Sequence, residues 1–214
     1  LALHGQGWLQ TAKTHGVEVW VSGATAAALP TVDFVQRQLA GCEVLAIEGI
    51  FTGTANFILN QMMHEGMGFD AALRQAQEAG IAEADSRFDT EGWDTAAKIT
   101  IIANTLFGTA LNVNHLPRQG ITDLQAADMA TWQAQGLMPR LIGYVRCEQG
   151  QVRAGVEVRA LDPQEVFYHV QGKNKAMRVV TAEMGELCVQ GGASSPQATA
   201  AAALKDLENL LKTW

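Results

Sequence analysis

Apolar and polar positions recur along this chain with two different periods, and the switches between them outline its elements. From Val17 the run V-E-V-W-V-S alternates and is rich in β-branched residues, so it reads as a strand ended by Gly23. Pro30 then opens a short helix with apolar positions at Val32, Val35 and Leu39, stopped by Gly41. E-V-L-A-I-E-G-I-F reads as a buried strand. It leads through a glycine turn to a helix that Thr54 could cap, with Phe57, Ile58, Leu59 and Met62 apolar and Gly66 as its stop. A second helix, F-D-A-A-L-R-Q-A-Q-E-A-G, carries Phe69, Leu73 and Ala76 on one face, and a third starts near Trp93 and runs to Gly108. After His115 a short helix around Leu124 to Gln135 precedes two strands, L-I-G-Y-V-R-C and V-R-A-G-V-E-V-R-A, joined at E-Q-G-Q. A further pair, A-M-R-V-V-T and E-L-C-V-Q, turns at Met184-Gly185 and leads to a final amphipathic helix after G-G-A-S-S-P. This order predicts an α+β fold: a mixed, mostly antiparallel sheet covered by helices on one face.

Composition narrows the function without naming it. The chain has 214 residues, 48% of them hydrophobic, enough for a real core. Its formal net charge is −7 and its 15 Lys and Arg are scattered, which argues against nucleic acid as a partner. Apolar runs such as Ile99 to Ala103 are far shorter than the roughly 20 residues of a membrane helix, so no membrane partner is expected, and L-A-L-H has no leader pattern. Cys42, Cys147 and Cys188 are odd in number and widely spaced, and the five histidines lack ligand spacing; a reducing cytoplasm, no disulfide framework and no metal cage are expected. The first residue is leucine, which suggests a fragment.

The densest chemistry lies in A-E-A-D-S-R-F-D-T-E-G-W-D-T-A-A-K, from Ala82 to Lys98. On a helix beginning near Trp93, Asp94 and Lys98 stand four apart, a pair that on an exposed surface contributes about 0.2–0.5 kcal/mol. A solvated acidic face is the plain alternative. Against it, Ile99, Ile101, Ile102 and Leu106 make the helix read as buried, and a lysine at a low-dielectric wall needs carboxylates facing it. Asp89 and Glu83 could be brought there by the preceding loop. Carboxylates without a metal motif suit a substrate ammonium, and the lysine suits a hydroxyl or carbonyl oxygen that gains or loses a proton. The residues alone point to an amino-acid-like substrate.

G-I-F-T-G-T-A-N-F-I-L, A-A-L-R-Q-A-Q-E-A-G-I-A-E-A-D and D-T-E-G-W-D-T-A-A-K-I-T-I-I-A, in that order, resemble the substrate-binding domain of homoserine dehydrogenase. The similarity is dense from Gly16 to Gly108 and looser beyond. It implies interconversion of homoserine and aspartate 4-semialdehyde with NAD or NADP, in the biosynthesis of threonine and methionine, by a cytoplasmic homodimer. By resemblance Lys98 is the catalytic lysine and Asp94 its partner, Glu83 and Asp89 bind the substrate amino group, and Gly53 and Thr54 form the turn that approaches substrate and nicotinamide. Asp85 and Glu91 match less closely and are expected to be surface or loop-fixing residues. Residues 1–16 would then be the connection to a nucleotide-binding domain, 17–190 the substrate-binding and dimerisation domain, and 191–214 a helix returning toward the nucleotide.

Four departures accompany the resemblance. No strand followed by G-x-G-x-x-G is present, so most of the nucleotide-binding half is expected to be missing and this chain alone to be inactive. A glycine-alanine-glycine element that would touch the cofactor reads Gly192-Ala193-Ser194, which equally suits a capped helix with Ser195 before Pro196. The loop Ser22 to Leu29 matches a monovalent-cation loop but has Ser22 where an acid is used. Ile81 replaces a tyrosine common in the family, which keeps a related dehydrogenase for another amino-acid aldehyde open. A non-catalytic amino-acid-binding or assembly module of the same fold also remains open.

Overall fold

The computed structural model describes residues 1–193 and 195–212, apart from the side chain of Gln6. Helix α1 (Gly5–Thr14) and two short helices, α2 (Ser22–Thr25) and α3 (Val32–Gln38), lead into strand β1 (Val44–Ile50). Helices α4 (Gly53–Glu65), α5 (Phe69–Glu78), α6 (Arg87–Thr90) and α7 (Trp93–Leu106) follow, then α8 (Ala126–Ala134). Strands β2 (Met138–Glu148), β3 (Gln151–Leu161), β4 (Lys175–Thr181) and β5 (Gly185–Gly191) and helix α9 (Pro196–Lys212) complete the order. Among the described residues no helix is long and apolar enough to cross a membrane.

Among the described residues the sheet has five strands, in the order β3-β2-β1-β4-β5. Every ladder is antiparallel; one isolated parallel bridge, Arg118 to Val156, lies outside the strands, so the sheet is less mixed than the sequence suggests. Gln149 and Gly150 adopt positive φ between β2 and β3, as a tight two-residue hairpin requires. Ile47 of β1, Val145 of β2, Met177 and Val179 of β4 and Ile99 and Ile102 of α7 share one core, on the helix-covered face. The segment between β3 and β4 packs Phe167 and Val170 over Ile50, Ile142 and Ala176 on the opposite face.

Two local expectations are corrected. Residues 17–21 have no ladder partner: Val17 and Val19 face solvent, and Trp20 is held by the Glu18 carboxylate and the Arg37 guanidinium rather than by a neighbouring strand. Alternation describes a strand only where the segment is brought against an edge, and this one pairs with neither β3 nor β5. Gly23 accordingly lies inside α2, whose first amide, Ser22 N, donates to Asp206 Oδ2 of α9 at 3.0 Å. The second correction is at α4, where the N-cap is Thr52 and Thr54 sits in the first turn. Thr52 makes no side-chain cap bond because its hydroxyl is engaged elsewhere, with consequences for the site.

Candidate active site

Gly92 begins the construction. It caps α7 at φ 80°, and a Cβ there would meet the Gln119 carbonyl at 2.6 Å, so both conformation and space call for glycine. Asp94 thereby falls in the first turn of α7, where the helix dipole favours a negative charge, and Lys98 one turn later. Ile99, Ile101 and Ile102 anchor the helix in the core. Lys98 Nζ donates to Asp94 Oδ2 at 2.6 Å and to the Phe51 carbonyl at 2.9 Å. Thr52 Oγ1 donates to the same carboxylate oxygen at 2.6 Å and lies 2.8 Å from Thr95 Oγ1, which explains the missing cap bond. Phe51 is fixed in turn because its ring lies where side chains on Gly49 and Gly143 would be.

Phe51, Thr52, Gly53, Thr54, Gly80 and Ile81, with Asp89, Asp94, Lys98, Lys173 and Lys175, line one polar cavity of about 250 Å³. Gly53 opens α4 against the Lys173 carbonyl, which a Cβ would approach to 2.6 Å. The free amides at the start of α4 therefore border the cavity. Thr54 Oγ1 donates to the Ile81 carbonyl at 3.3 Å. Burial raises the Asp89 pKa above the ordinary carboxylate value; the Thr54 hydroxyl and Lys98 oppose this, while Asp94 and Glu83 add to it. Burial lowers Lys175 to about 8, assisted by repulsion from Lys98 and opposed by Asp94.

Lys98, Asp94, Asp89, Gly53 and Thr54 thus share a cavity. Glu83 does not line it; that residue is exposed on the neighbouring loop, near enough only to influence Asp89. Asp85 forms an exposed pair with Arg87, and Glu91 binds Trp93 Nε1 through its side chain and Arg118 through its carbonyl. Gly192 packs on Leu29, where a Cβ would meet the Leu29 nitrogen at 2.7 Å, so internal packing accounts for that glycine; Ala193 is exposed and Ser194 lies outside the described residues. Ser195 Oγ accepts from Ala198 N at 3.2 Å, capping α9. Within the loop matched to a monovalent cation, the Ala26 carbonyl accepts from Lys175 Nζ at 2.9 Å, so a protein cation already occupies that acceptor.

No local sequence signal marks Thr52, Thr95, Lys173 or Lys175. The first two flank Gly53 and Asp94 but resemble ordinary helix hydroxyls. The lysines lie some 75 residues beyond Lys98 in sequence, and only the folded loop brings them back. That loop is clamped by Asn56, whose side-chain amide donates to the Val170 and Gly172 carbonyls, and by fully buried Arg140, which donates to the Phe167 and Tyr168 carbonyls.

An antiparallel sheet backed by helices carries a lysine–carboxylate pair that opens onto a small polar cavity, an arrangement able to exchange a proton with a small polar molecule. The chain belongs to the homoserine dehydrogenase family, whose family model matches residues 30–207. It is 34% identical to homoserine dehydrogenase of Methanocaldococcus jannaschii, over 97% of this chain and 60% of that protein. It is 32% identical to an NAD(+)-dependent homoserine dehydrogenase of Pseudomonas canavaninivorans, over 97% of this chain and 59% of the relative. The crystal structure of a homoserine dehydrogenase from Thiobacillus denitrificans superposes with a TM-score of 0.90 at 29% identity, covering 95% of this chain and 47% of that one. The chain therefore spans about half to three fifths of the length of these relatives.

Proposed function

We propose that this chain is the catalytic portion of a homoserine dehydrogenase, interconverting L-homoserine and L-aspartate 4-semialdehyde with NAD or NADP in amino-acid biosynthesis. The observation that carries the reading is the Lys98 ammonium, held by Asp94 and the Phe51 carbonyl at the wall of a cavity it shares with Asp89. Two of its three N–H groups are engaged, leaving one for a substrate oxygen. In the reducing direction Lys98 gives a proton to the aldehyde oxygen as the carbonyl carbon gains a hydride; in the oxidising direction its neutral amine takes the hydroxyl proton as that carbon loses one. Asp94, fixed by Thr52, holds the lysine in place and compensates its charge. Asp89, half-buried and without an ion-pair partner among the described residues, receives the substrate ammonium; Glu83 would join it only if its loop moved inward.

A bound nicotinamide supplies or accepts the hydride. The cavity fits an amino acid and the reacting edge of such a ring but is too small for a whole dinucleotide. Gly53 and Thr54, at the free amides of α4, would meet that edge, with Gly192 and Ala193 nearer its remainder. Residues 17–190 serve as the substrate-binding and dimerisation domain on this reading. The exposed apolar side chains of Leu3 and Trp8 at α1, and of Leu204, Leu207 and Leu211 on α9, support a role for 1–16 and 191–214 in meeting a nucleotide-binding domain. Self-association as a homodimer would use the sheet face away from the helices. Free cysteines suit a cytoplasmic location.

Calorimetry with L-homoserine tests the reading. Saturable binding by the chain, strengthened when NADP or NAD and a nucleotide-binding domain are supplied, is expected; no binding under either condition would overturn it. The chain alone should turn over negligibly.

A further inference from the structure

The cavity contains two charged groups of opposite sign, one half-buried and one buried, that form no ion pair among the described residues. Asp89 is the negative one. Lys175 is the positive one: it is 3% exposed, it donates only to the neutral Ala26 carbonyl, and no carboxylate among the described residues lies within ion-pair distance. Lys98 does not share this condition, because Asp94 is 2.6 Å away. Lys173, the third lysine of the cavity, is exposed and remains solvated.

Strand register explains how Lys175 comes to be there. It opens β4 on the same face as Met177 and Val179, toward the helices, and its cross-strand partner is Gly191, which has no side chain to fill the space. Its position is maintained by the clamp of Asn56 and Arg140 on the segment immediately before it. A strut between β4 and the Ala26 loop would need only a neutral donor. Arg140 shows that this fold can hold a buried cation on neutral oxygens alone, but Arg140 does not line the cavity; Lys175 does, and there an anion arriving with the ligand would supply the missing counter-charge.

We infer that Lys175 binds the α-carboxylate of the amino-acid substrate, so that Asp89 and Lys175 together recognise its zwitterion while Lys98 faces its side-chain oxygen. This rests on the functional reading above and deepens it by assigning the carboxylate subsite. The arrangement selects amino acids over simple amino alcohols and aldehydes, and it orients the reacting end by fixing two other points of the molecule.

The test compares L-homoserine with its decarboxylated counterpart, 3-aminopropan-1-ol, by calorimetry on the full chain and on Lys175→Met and Lys175→Gln. A charge-assisted contact predicts that the unmodified chain prefers homoserine by about tenfold or more, and that the preference falls to about twofold in both variants. Lys175→Gln retains an N–H for the Ala26 carbonyl, so loss of preference there reports on charge rather than on loop support. A folded variant that keeps the full preference overturns the assignment, whereas failure of the unmodified chain to bind either compound overturns the functional reading beneath it. Should neither variant fold, an unmodified chain that binds both compounds equally still overturns the assignment. With Lys98 and Asp94 of α7, Asp89 of α6 and Lys173 as the other charged groups lining the cavity, deprotonation of Lys175 near pH 8 should lower the preference, corrected for the ligands' own amines.

Discussion

Two charge clusters lie along β1, one on Glu48 within the strand and one reached through the Phe51 carbonyl just beyond its end, and they are compensated in opposite ways. Glu48 is 4% exposed and is met by Arg146 at 2.6 Å, Arg159 at 2.9 Å and Arg178 at 2.7 Å, with Glu157 and Glu186 balancing the outer guanidinium groups. Burial alone would raise its pKa, but the hydrogen bonds from Arg159, Arg178 and Arg146 bring it down to about 2. Across the sheet, after Ile50, the cluster around Lys98 keeps one full ion pair, and Asp89 and Lys175 have no counter-ion among the described residues. A cluster that satisfies every charge internally is structural; one that leaves opposite charges unpaired around a cavity is arranged for a visitor.

The comparison breaks most visibly at Lys98. In the enzyme supplied with its nucleotide-binding domain, Lys98→Ala should lower kcat about a thousandfold, within the range for loss of a general acid–base, with cofactor affinity largely retained. Steady-state kinetics and cofactor titration would check this, and an active Lys98→Ala enzyme would refute the assigned role.

Glu48→Gln should do the reverse, sparing homoserine binding but destabilising the fold by about 3 kcal/mol, because three guanidinium groups lose their shared anion. The pH dependence has a defined window. The folded carboxylate holds its proton more weakly than the unfolded one, so its contribution is complete above the ordinary value of 4.5 and is lost as pH falls toward 2. Urea denaturation should show an acid limb across that window worth roughly 3 kcal/mol, absent from Glu48→Gln. An unchanged limb in the variant would mean that other carboxylates dominate acid unfolding.

These clusters were unequally legible in the sequence. Asp94 and Lys98 could be paired because helical spacing is a local property, and the isoleucines after Lys98 announced that its helix was buried. β1, β2, β3, β4 and β5 were likewise visible, since each has its own period and turn residues. Glu48 stood unremarked in a run of apolar residues, because its three arginines come from β2, β3 and β4 and no local pattern links them. Lys175 was hidden for the same reason. Val17 to Val21 failed in the opposite direction: the period was present but the segment pairs with neither edge strand, β3 nor β5.

The smallest effect expected has the most diagnostic sign. Asp89 holds its proton more tightly in the folded chain than in the unfolded one, chiefly through burial. Its contribution is therefore present below the ordinary value of 3.8 and lost as pH rises through the raised folded value, so at neutral pH the ionised carboxylate works against folding. Asp89→Asn should raise the urea midpoint at neutral pH, with the gain vanishing in acid, while weakening homoserine binding by about tenfold. Glu48→Gln loses stability and keeps binding; Asp89→Asn should gain stability and lose binding. A destabilised Asp89→Asn chain would place Asp89 with Glu48 among the structural charges and remove the negative half of the zwitterion site, whereas a stabilised one fits a residue retained for its ligand at the expense of the fold.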